Sequence, residues 1–175
     1  ERSRPVAVAG LRGVAEISVG GSHTCARLTD GTMTCWGNAS NAQLGDGTTP
    51  RSVPGAVPLL TGLSSIGAGT SHSCAVDSSG AVSCWGRNVF GAAGATPPSD
   101  VRSPTPVAGL GSSTRVATGG LHSCAIRDDG TVRCWGWNGG GQLGDGSMAN
   151  SATPVQSRGV TGVVRLSAGN EDTCA

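Results

Sequence analysis

The residues able to do chemistry in this sequence are seven cysteines and three histidines, and they fall in a fixed pattern. Each histidine stands two residues ahead of a cysteine, in His23-Thr24-Cys25, His72-Ser73-Cys74 and His122-Ser123-Cys124. A second cysteine follows ten residues after each of these, at Cys35, Cys84 and Cys134, and the seventh, Cys174, comes after Asp172-Thr173. Such a set can hold a metal, staple the chain, or pack as reduced thiols. Zinc needs four ligands converging on a tetrahedron, and structural sites draw them from closely spaced cysteine knuckles that are absent here. Reduced cysteines behave as small buried hydrophobes, a reading that suits a reducing compartment.

The turn between the paired cysteines bears on the third reading. Thr29-Asp30-Gly31 has the composition of a three-residue hairpin loop, and Ser79-Gly80 and Asp129-Gly130 stand at the matching places. Around a loop of that length Cys25 faces Cys35, Cys74 faces Cys84 and Cys124 faces Cys134. Cross-strand residues of the closer kind have Cα atoms about 4.5 Å apart, within the reach of a disulfide. Each such staple closes a loop of about ten residues and contributes ~2–3 kcal/mol. It also places the protein in an oxidising setting: secreted, periplasmic or on the cell surface. Cys174 is then the odd thiol, with its partner expected about ten residues further along an intact chain.

The elements that position these residues form a repeat. The stretch GSHTCARLTDGTMTCWGN at 21–38 returns at 70–88 and at 120–138, and the leading cysteines Cys25, Cys74, Cys124 and Cys174 lie 49, 50 and 50 residues apart. A single repeat domain over 1–175 follows, with repeats at about 4–52, 53–103 and 104–152 and a partial one at 153–175. Within a repeat, Ile17 and Val19 alternate with small or polar residues, then two strand-type runs flank the turn, and no 3.6-residue periodicity occurs. Proline clusters at Pro50–Pro58 and Pro97–Pro106, with Pro154, mark an outer edge strand or connection. Three or four short strands per unit predict an all-β chain of propeller blades or solenoid turns.

Composition fits this and excludes much else. Thirty of 175 residues are Gly, charged residues are 13%, and 12 Arg against 11 acidic residues leave a formal charge of +1. No basic field for nucleic acid is present, and no apolar run is long enough to span a membrane. The opening ERSRPVAV lacks an initiator Met and a signal segment, so the chain reads as a processed or excised piece.

The string G-x-x-H-[ST]-C-A, then D-G, then C-W-G-x-N, then G-Q-L-G-x-G resembles the repeat of the regulator of chromosome condensation family, in the cysteine-bearing form of bacterial and extracellular members. The resemblance implies a seven-bladed β-propeller of which about 3.5 blades are present. Two ring arrangements follow: a fragment of a longer propeller, or two copies completing one ring. The second repeat departs from the pattern, with FGAAGATPPSD in place of the QLGDG turn.

The remaining candidates are weighed against scaffold roles. His23, His72 and His122 recur once per repeat and read as structural imidazoles bonding between adjacent backbone segments of a blade. Trp36, Trp85 and Trp135 face opposite to the preceding cysteine and read as the large core residue of each blade. Trp137 aligns with Asn38 and Arg87 and is an extra aromatic beside a loop. With Asn138, Arg87 and Phe90 it forms the expected contact surface. Asp46 and Asp145 in Leu-Gly-Asp-Gly lack the alternating acids of a calcium loop and read as turn caps. Asn38-Ala39-Ser40 fits a glycosylation sequon.

No phosphate loop, nucleophile elbow or paired carboxylates occur, so no enzyme activity, metal or cofactor is expected. The expected function is an extracellular, non-catalytic propeller that recognises another protein through its blade loops. A carbohydrate-binding or assembly subunit is the alternative, with Trp137 and Asn138 as a stacking platform. The resemblance also implies nucleotide exchange on small GTPases or chromatin binding. The wedge-like loops of exchange factors are absent, and three cysteine pairs sit poorly with a nuclear role.

Overall fold

In the computed structural model, which describes residues 4–47 and 50–175, the three hairpin tips behave as their residues dictate. Thr48, in the first QLGDG-type turn, and Glu1–Ser3 of the opening segment lie outside the described residues. At Gly31, Gly80 and Gly130 the backbone takes φ of 79°, 84° and 75°, the left-handed conformation that closes a three-residue hairpin loop. The Leu28 amide donates to the Thr32 carbonyl at 2.9 Å and the Gly31 amide to the Leu28 carbonyl at 3.0 Å.

Those hairpins sit inside four-stranded antiparallel sheets. Blade I consists of β1 (Val14–Val19), β2 (His23–Leu28), β3 (Met33–Gly37) and β4 (Arg51–Ala56), hydrogen-bonded in that order. Blade II repeats it with β5 (Leu63–Ala68), β6 (His72–Asp77), β7 (Val82–Gly86) and β8 (Val101–Pro106). Blade III has β9 (Ser113–Thr118), β10 (His122–Arg127), β11 (Val132–Gly136) and β12 (Ser151–Gln156). A two-stranded fourth unit, β13 (Ser167–Ala168) and β14 (Thr173–Cys174), follows. The all-β chain expected from the repeat and the partial propeller implied by the family resemblance are the observed architecture. The repeat boundaries drawn at 52, 103 and 152 cut through β4, β8 and β12; hydrogen bonding to the strand before them assigns these proline-bearing outer strands to the blade they close.

The antiparallel weave gives each blade two ends. β1 runs up from Gly13 to Gly20, so the corners at Gly20, Gly69 and Gly119 and the loops 38–47, 88–100 and 138–150 share one end, called here the collar end. The hairpin tips and the connections 57–62, 107–112 and 157–162 share the other.

The core lies between blades, because each sheet has apolar side chains on both faces and each blade is covered only by its neighbours. Met33, Leu44 and Val57 of blade I pack with Ile66 and Trp85 of blade II. Val82, Ala93 and Val107 of blade II pack with Val116 and Trp135 of blade III. Among the described residues no helix is long and apolar enough to cross a membrane.

Candidate functional site

Two layers meet at the collar end: a buried lock that joins one blade to the next, and a row of side chains mounted on it that is exposed in one blade and half-buried in the others. The lock starts from the cysteine hairpins. Cys25–Cys35, Cys74–Cys84 and Cys124–Cys134 are disulfides between directly opposed residues of adjacent strands, with Cα atoms 4.1, 4.1 and 4.0 Å apart. All six are fully buried. Cys174 is an exposed free thiol opposite Ser167.

Strand alternation puts His23 on the same face as Cys25, toward the next blade, and Thr24 and Trp36 on the other, toward the preceding one. His23 Nε2 lies 2.8 Å from Ser73 Oγ, His72 Nε2 lies 2.8 Å from Ser123 Oγ, and His122 Nε2 lies 2.9 Å from Thr173 Oγ1. This corrects the expectation that each imidazole bonds between backbone segments of its own blade: its partner is a hydroxyl about fifty residues on, because the histidine face of the strand is the interface face. Each hydroxyl donates onward to a carbonyl of the histidine's blade, Ser73 to Gln43 at 2.9 Å, Ser123 to Ala92 at 2.9 Å and Thr173 to Gln142 at 3.1 Å. Trp85 Nε1 and Trp135 Nε1 donate to the Gln43 and Ala92 carbonyls at 3.0 Å each.

The chain of donors fixes the histidine tautomer. A serine hydroxyl has one proton, and here it goes to the carbonyl, so the hydroxyl accepts from imidazole Nε2–H and Nδ1 is left bare. Nδ1 of His23 and of His122 is buried without a partner. Burial, with no acceptor for a second ring proton, pushes the His23 imidazole down to about 4. Burial, reinforced by the neighbouring His23 and His122, pushes His72 down to about 3. His122 is lowered by burial too, against an opposing pull from Asp172. The histidines are neutral hydrogen-bond donors at neutral pH, each committed to the fold. The sequence-level reading missed Ser73, Ser123 and Thr173, although a hydroxyl residue stands between histidine and cysteine in every complete repeat.

Glycine makes the close approach possible. A Cβ on Gly20, Gly69 or Gly119 would strike both the histidine ring of its own blade and the glycine carbonyl of the next. The Gly21 amide reaches the Gly69 carbonyl at 3.2 Å, and the Gly120 amide the Asn170 carbonyl at 3.0 Å, so the corners form a collar of main-chain bonds.

Trp85 and Trp135 are fully buried against the preceding blade, whereas Trp36, on the face of blade I that no other blade covers, is half-buried.

Above the lock, the amides of Asn38, Arg87 and Trp137 donate to the Ser22, Ser71 and Leu121 carbonyls at 2.8, 2.8 and 2.9 Å. These three are one structural position with three chemistries. Arg87 is exposed, and Asn38, Phe90 and Trp137 are half-buried. Asn138 is corrected from a contact residue to a loop anchor. It is fully buried, donates through Nδ2 to the Ser147 and Ala149 carbonyls at 3.1 Å each, and accepts from the Leu143 amide at 2.9 Å. Asn88 does the same for its loop, accepting from the Ala93 amide at 3.0 Å and donating to the Ala95 carbonyl at 3.0 Å. The QLGDG departure in the second repeat therefore keeps its anchor. In blade I that place is held by Ala39, and the sequon residue Asn38 accepts instead from Ser40 and from Gln43 Nε2. Asp145 caps its turn by accepting from the Ser147 amide at 2.9 Å, which with the Ser147 hydroxyl holds its carboxyl below the usual range. Asp46 pairs with Arg51, which also donates to the Cys35 carbonyl at 2.9 Å.

Comparison with known proteins places this geometry. Sequence profiles described as regulator of chromosome condensation (RCC1) repeat match residues 30–76, 79–126 and 129–175, and a second profile of the same description matches 14–43, 63–92 and 114–142. No curated protein sequence matches the chain. Among solved structures, Prp20p from Saccharomyces cerevisiae, described with its binding to Gsp1p and histones, is similar over 92% of this chain and 43% of its own, at 22% identity and a TM-score of 0.82. Yeast RCC1 (Prp20) in a structure with Kap60 is similar over 94% of this chain and 42% of that one, at 22% identity and 0.84. Human WBSCR16 is similar over 90% and 56%, at 16% identity and 0.65. The chain thus spans less than half the length of yeast Prp20 in both structures, and at these identities the likeness concerns the fold.

Proposed function

The chain belongs to the regulator of chromosome condensation (RCC1) repeat family, and from that premise we propose that it is a non-catalytic module that binds another protein through the collar-end loops. One observation carries the reading. Asn38, Arg87 and Trp137 occupy the same backbone position above nearly identical locks, yet one is a small amide, one a cation and one an indole. A scaffold that repeats its buried residues and varies the side chain it displays presents a composite surface, and aromatic and arginine side chains are the types that anchor protein interfaces.

The structurally similar Prp20p is described with protein partners, Gsp1p and histones, which supports a protein as the partner class. Its specific partners are not carried over at 22% identity. The histidines are consumed by the lock and the paired cysteines by disulfides, which leaves the repeated residues with structural work rather than catalysis. Three buried disulfides favour an oxidising compartment, and we place the protein in a secreted, periplasmic or surface-displayed setting.

The test compares affinity capture from the secreted fraction of the source by the native chain, by Arg87→Ala/Trp137→Ala, and by Leu59→Ala at the opposite end. A protein retained by the native chain and by Leu59→Ala, and lost from the double variant, is expected. Retention by all three overturns the collar-face reading. Saccharide-dependent quenching of Trp fluorescence that disappears in Trp137→Ala, with no protein captured, replaces it with carbohydrate recognition. Turnover of a substrate through a repeat residue overturns the non-catalytic reading.

A further inference from the structure

The collar face differs between the two seams that join complete blades. A Cβ on Gly136 would lie 3.3 Å from the Ala92 Cα, and one on Gly91 2.5 Å from the Ala152 Cα, so the loop of blade II leans on β11 and β12 of blade III. Phe90 stands next to Gly91 and Trp137 next to Gly136, which sets two half-buried aromatic residues on either side of this seam. At the seam between blades I and II the same two places are held by Asn41 and Arg87. Both blades that meet at the aromatic seam are four-stranded sheets.

Trp137 does not serve the loop beside it. In blade I, Gln43 Nε2 donates to Asn38 Oδ1 at 3.2 Å. Trp137 stands in the place of Asn38 and offers no acceptor, and Nε2 of Gln142, the equivalent of Gln43, is buried without a hydrogen-bond partner. An asparagine would satisfy the fold better, and a local rule broken without a folding gain marks a residue with other work. The ring is nevertheless held in place. A Cβ on Gly139 would come within 2.7, 2.8 and 2.9 Å of its Cζ2, Cε2 and Nε1, so the indole lies against a residue whose missing side chain makes room for it. Its Nε1–H donates to no group among the described residues and is not buried, whereas those of Trp85 and Trp135 are bonded to carbonyls.

The seam thus offers aromatic surface and a free donor. The side-chain acceptors of the loop are engaged: Asn138 Oδ1 accepts from the Leu143 amide at 2.9 Å, Gln142 Oε1 from the Gly140 amide at 2.9 Å, and Asn150 Oδ1 from the Asn138 amide at 2.8 Å. A sugar hydroxyl, donor and acceptor at once, is poorly matched by such a surface. A polyproline helix is matched by it. Proline has no N–H to satisfy, its ring packs flat on an indole, its carbonyl accepts from the indole N–H, and its extended conformation is set before binding.

We propose that the seam flanked by Phe90 and Trp137 binds a proline-rich segment of the protein partner, with proline rings packed on the two aromatic side chains and a main-chain carbonyl accepting from Trp137 Nε1–H. This rests on the collar-face reading and names the chemistry of its ligand.

The test is isothermal titration with acetylated, amidated decaproline. It is run on the native chain, on Phe90→Asn and Trp137→Asn, which install the residues blade I carries at these places, and on Trp137→Phe. Saturable binding by the native chain is expected, weakened about tenfold or more in each asparagine variant and roughly threefold in Trp137→Phe, which keeps an aromatic face without the N–H. Trp137→Asn should also melt no lower than the native chain, since it supplies Gln142 with an acceptor. Binding lost at undiminished stability separates a contact residue from a scaffold residue. A lower melting midpoint in Trp137→Asn, or equal affinity in all four chains, overturns the proposal, as does a glycine-serine decapeptide bound as tightly as decaproline. Cellohexaose bound through Trp137 with no response to decaproline replaces the proline segment with a sugar. If decaproline does not bind while Arg87→Ala/Trp137→Ala still loses a captured protein, the proline chemistry is overturned and the collar face stands; if that double variant keeps the protein, both fail.

Discussion

His72 and Ser123, fifty-one residues apart in sequence, are joined by a 2.8 Å hydrogen bond between Nε2 and Oγ across the interface of blades II and III. Ser123 passes its own proton to the Ala92 carbonyl, which also receives the Trp135 indole. Four groups from two blades thus satisfy one another where water is excluded. Such a network is valuable when complete and costly when one member is removed, because the groups left behind are buried and unpaired.

Ser123→Ala removes a hydroxyl that accepts one bond and donates another, with little change in volume. His72 Nε2–H then loses its acceptor in a fully buried site. A loss of about 2–3 kcal/mol is expected, read as a lower urea midpoint with unchanged slope. Ser123→Thr, the residue type found at 24 and 173, is expected to restore most of it. An alanine variant as stable as the native chain would show that the network contributes nothing.

The same network makes the fold acid-sensitive. Imidazole in the unfolded chain has a pKa near 6.5, and burial lowers it to about 4 in His23 and about 3 in His72. The unfolded state therefore binds protons first as pH falls. Stability is fully present above pH 6.5 and is lost as pH drops through the folded-state values, by roughly 3 kcal/mol for His23 alone. Asp30, Asp77, Asp129 and Asp145, whose carboxyls are lowered by turn hydrogen bonds, titrate only at the acid end of this window and act in the same direction. Urea midpoints measured at pH 7.5, 5.5 and 4.5 should fall in that order, and a His23→Gln chain should lose part of the slope. A flat profile would mean that the histidines titrate alike in both states.

What could be read in advance follows from distance along the chain. The pairing of Cys25 with Cys35 is settled within eleven residues by a turn whose glycine must adopt positive φ, so register arithmetic suffices. The partner of His72 comes from the next repeat, and no local pattern ranks Ser123 above the backbone as its acceptor. The repeated hydroxyl ahead of each cysteine was the available signal, overlooked because serine and threonine also suit strands and turns. Asn138 misled for a related reason: an asparagine beside glycines in a loop has the composition of a contact residue and of a buried loop anchor. Only the burial of its amide separates the two.

Gly69→Ala tests the collar. The added methyl would meet the ring of His72 and the carbonyl of Gly119, one of them backbone of the next blade, so neither side can yield without parting the blades. A loss of more than about 2 kcal/mol is expected. Gly109→Ala isolates the other kind of cost: φ is 76° there and open space surrounds the position, so the substitution carries the left-handed backbone penalty of about 1 kcal/mol alone, whereas Gly69 has no positive φ and its loss comes from the close approach. A Gly69→Ala chain whose thermal midpoint falls no further than that of Gly109→Ala would show that the blades admit a methyl at the collar.

Trp36 and Trp85 hold the same place in consecutive blades and differ in what covers them. Ile17, on the same uncovered face as Trp36, is 55% exposed, while its equivalents Ile66 and Val116 are 3% and 7% exposed. Trp85→Ala opens a large cavity between blades I and II, removes a donor from the Gln43 carbonyl, and should cost about 3–5 kcal/mol. Trp36→Ala exposes a face already open and should cost well under half of that in this chain. The asymmetry has a second reading in fluorescence. Trp85 and Trp135 should emit in the blue and resist acrylamide, and the red-shifted, quenchable part of the spectrum should shrink in Trp36→Ala. If Trp36→Ala proves as damaging as Trp85→Ala, with its emission equally buried, the uncovered face of blade I is covered in solution.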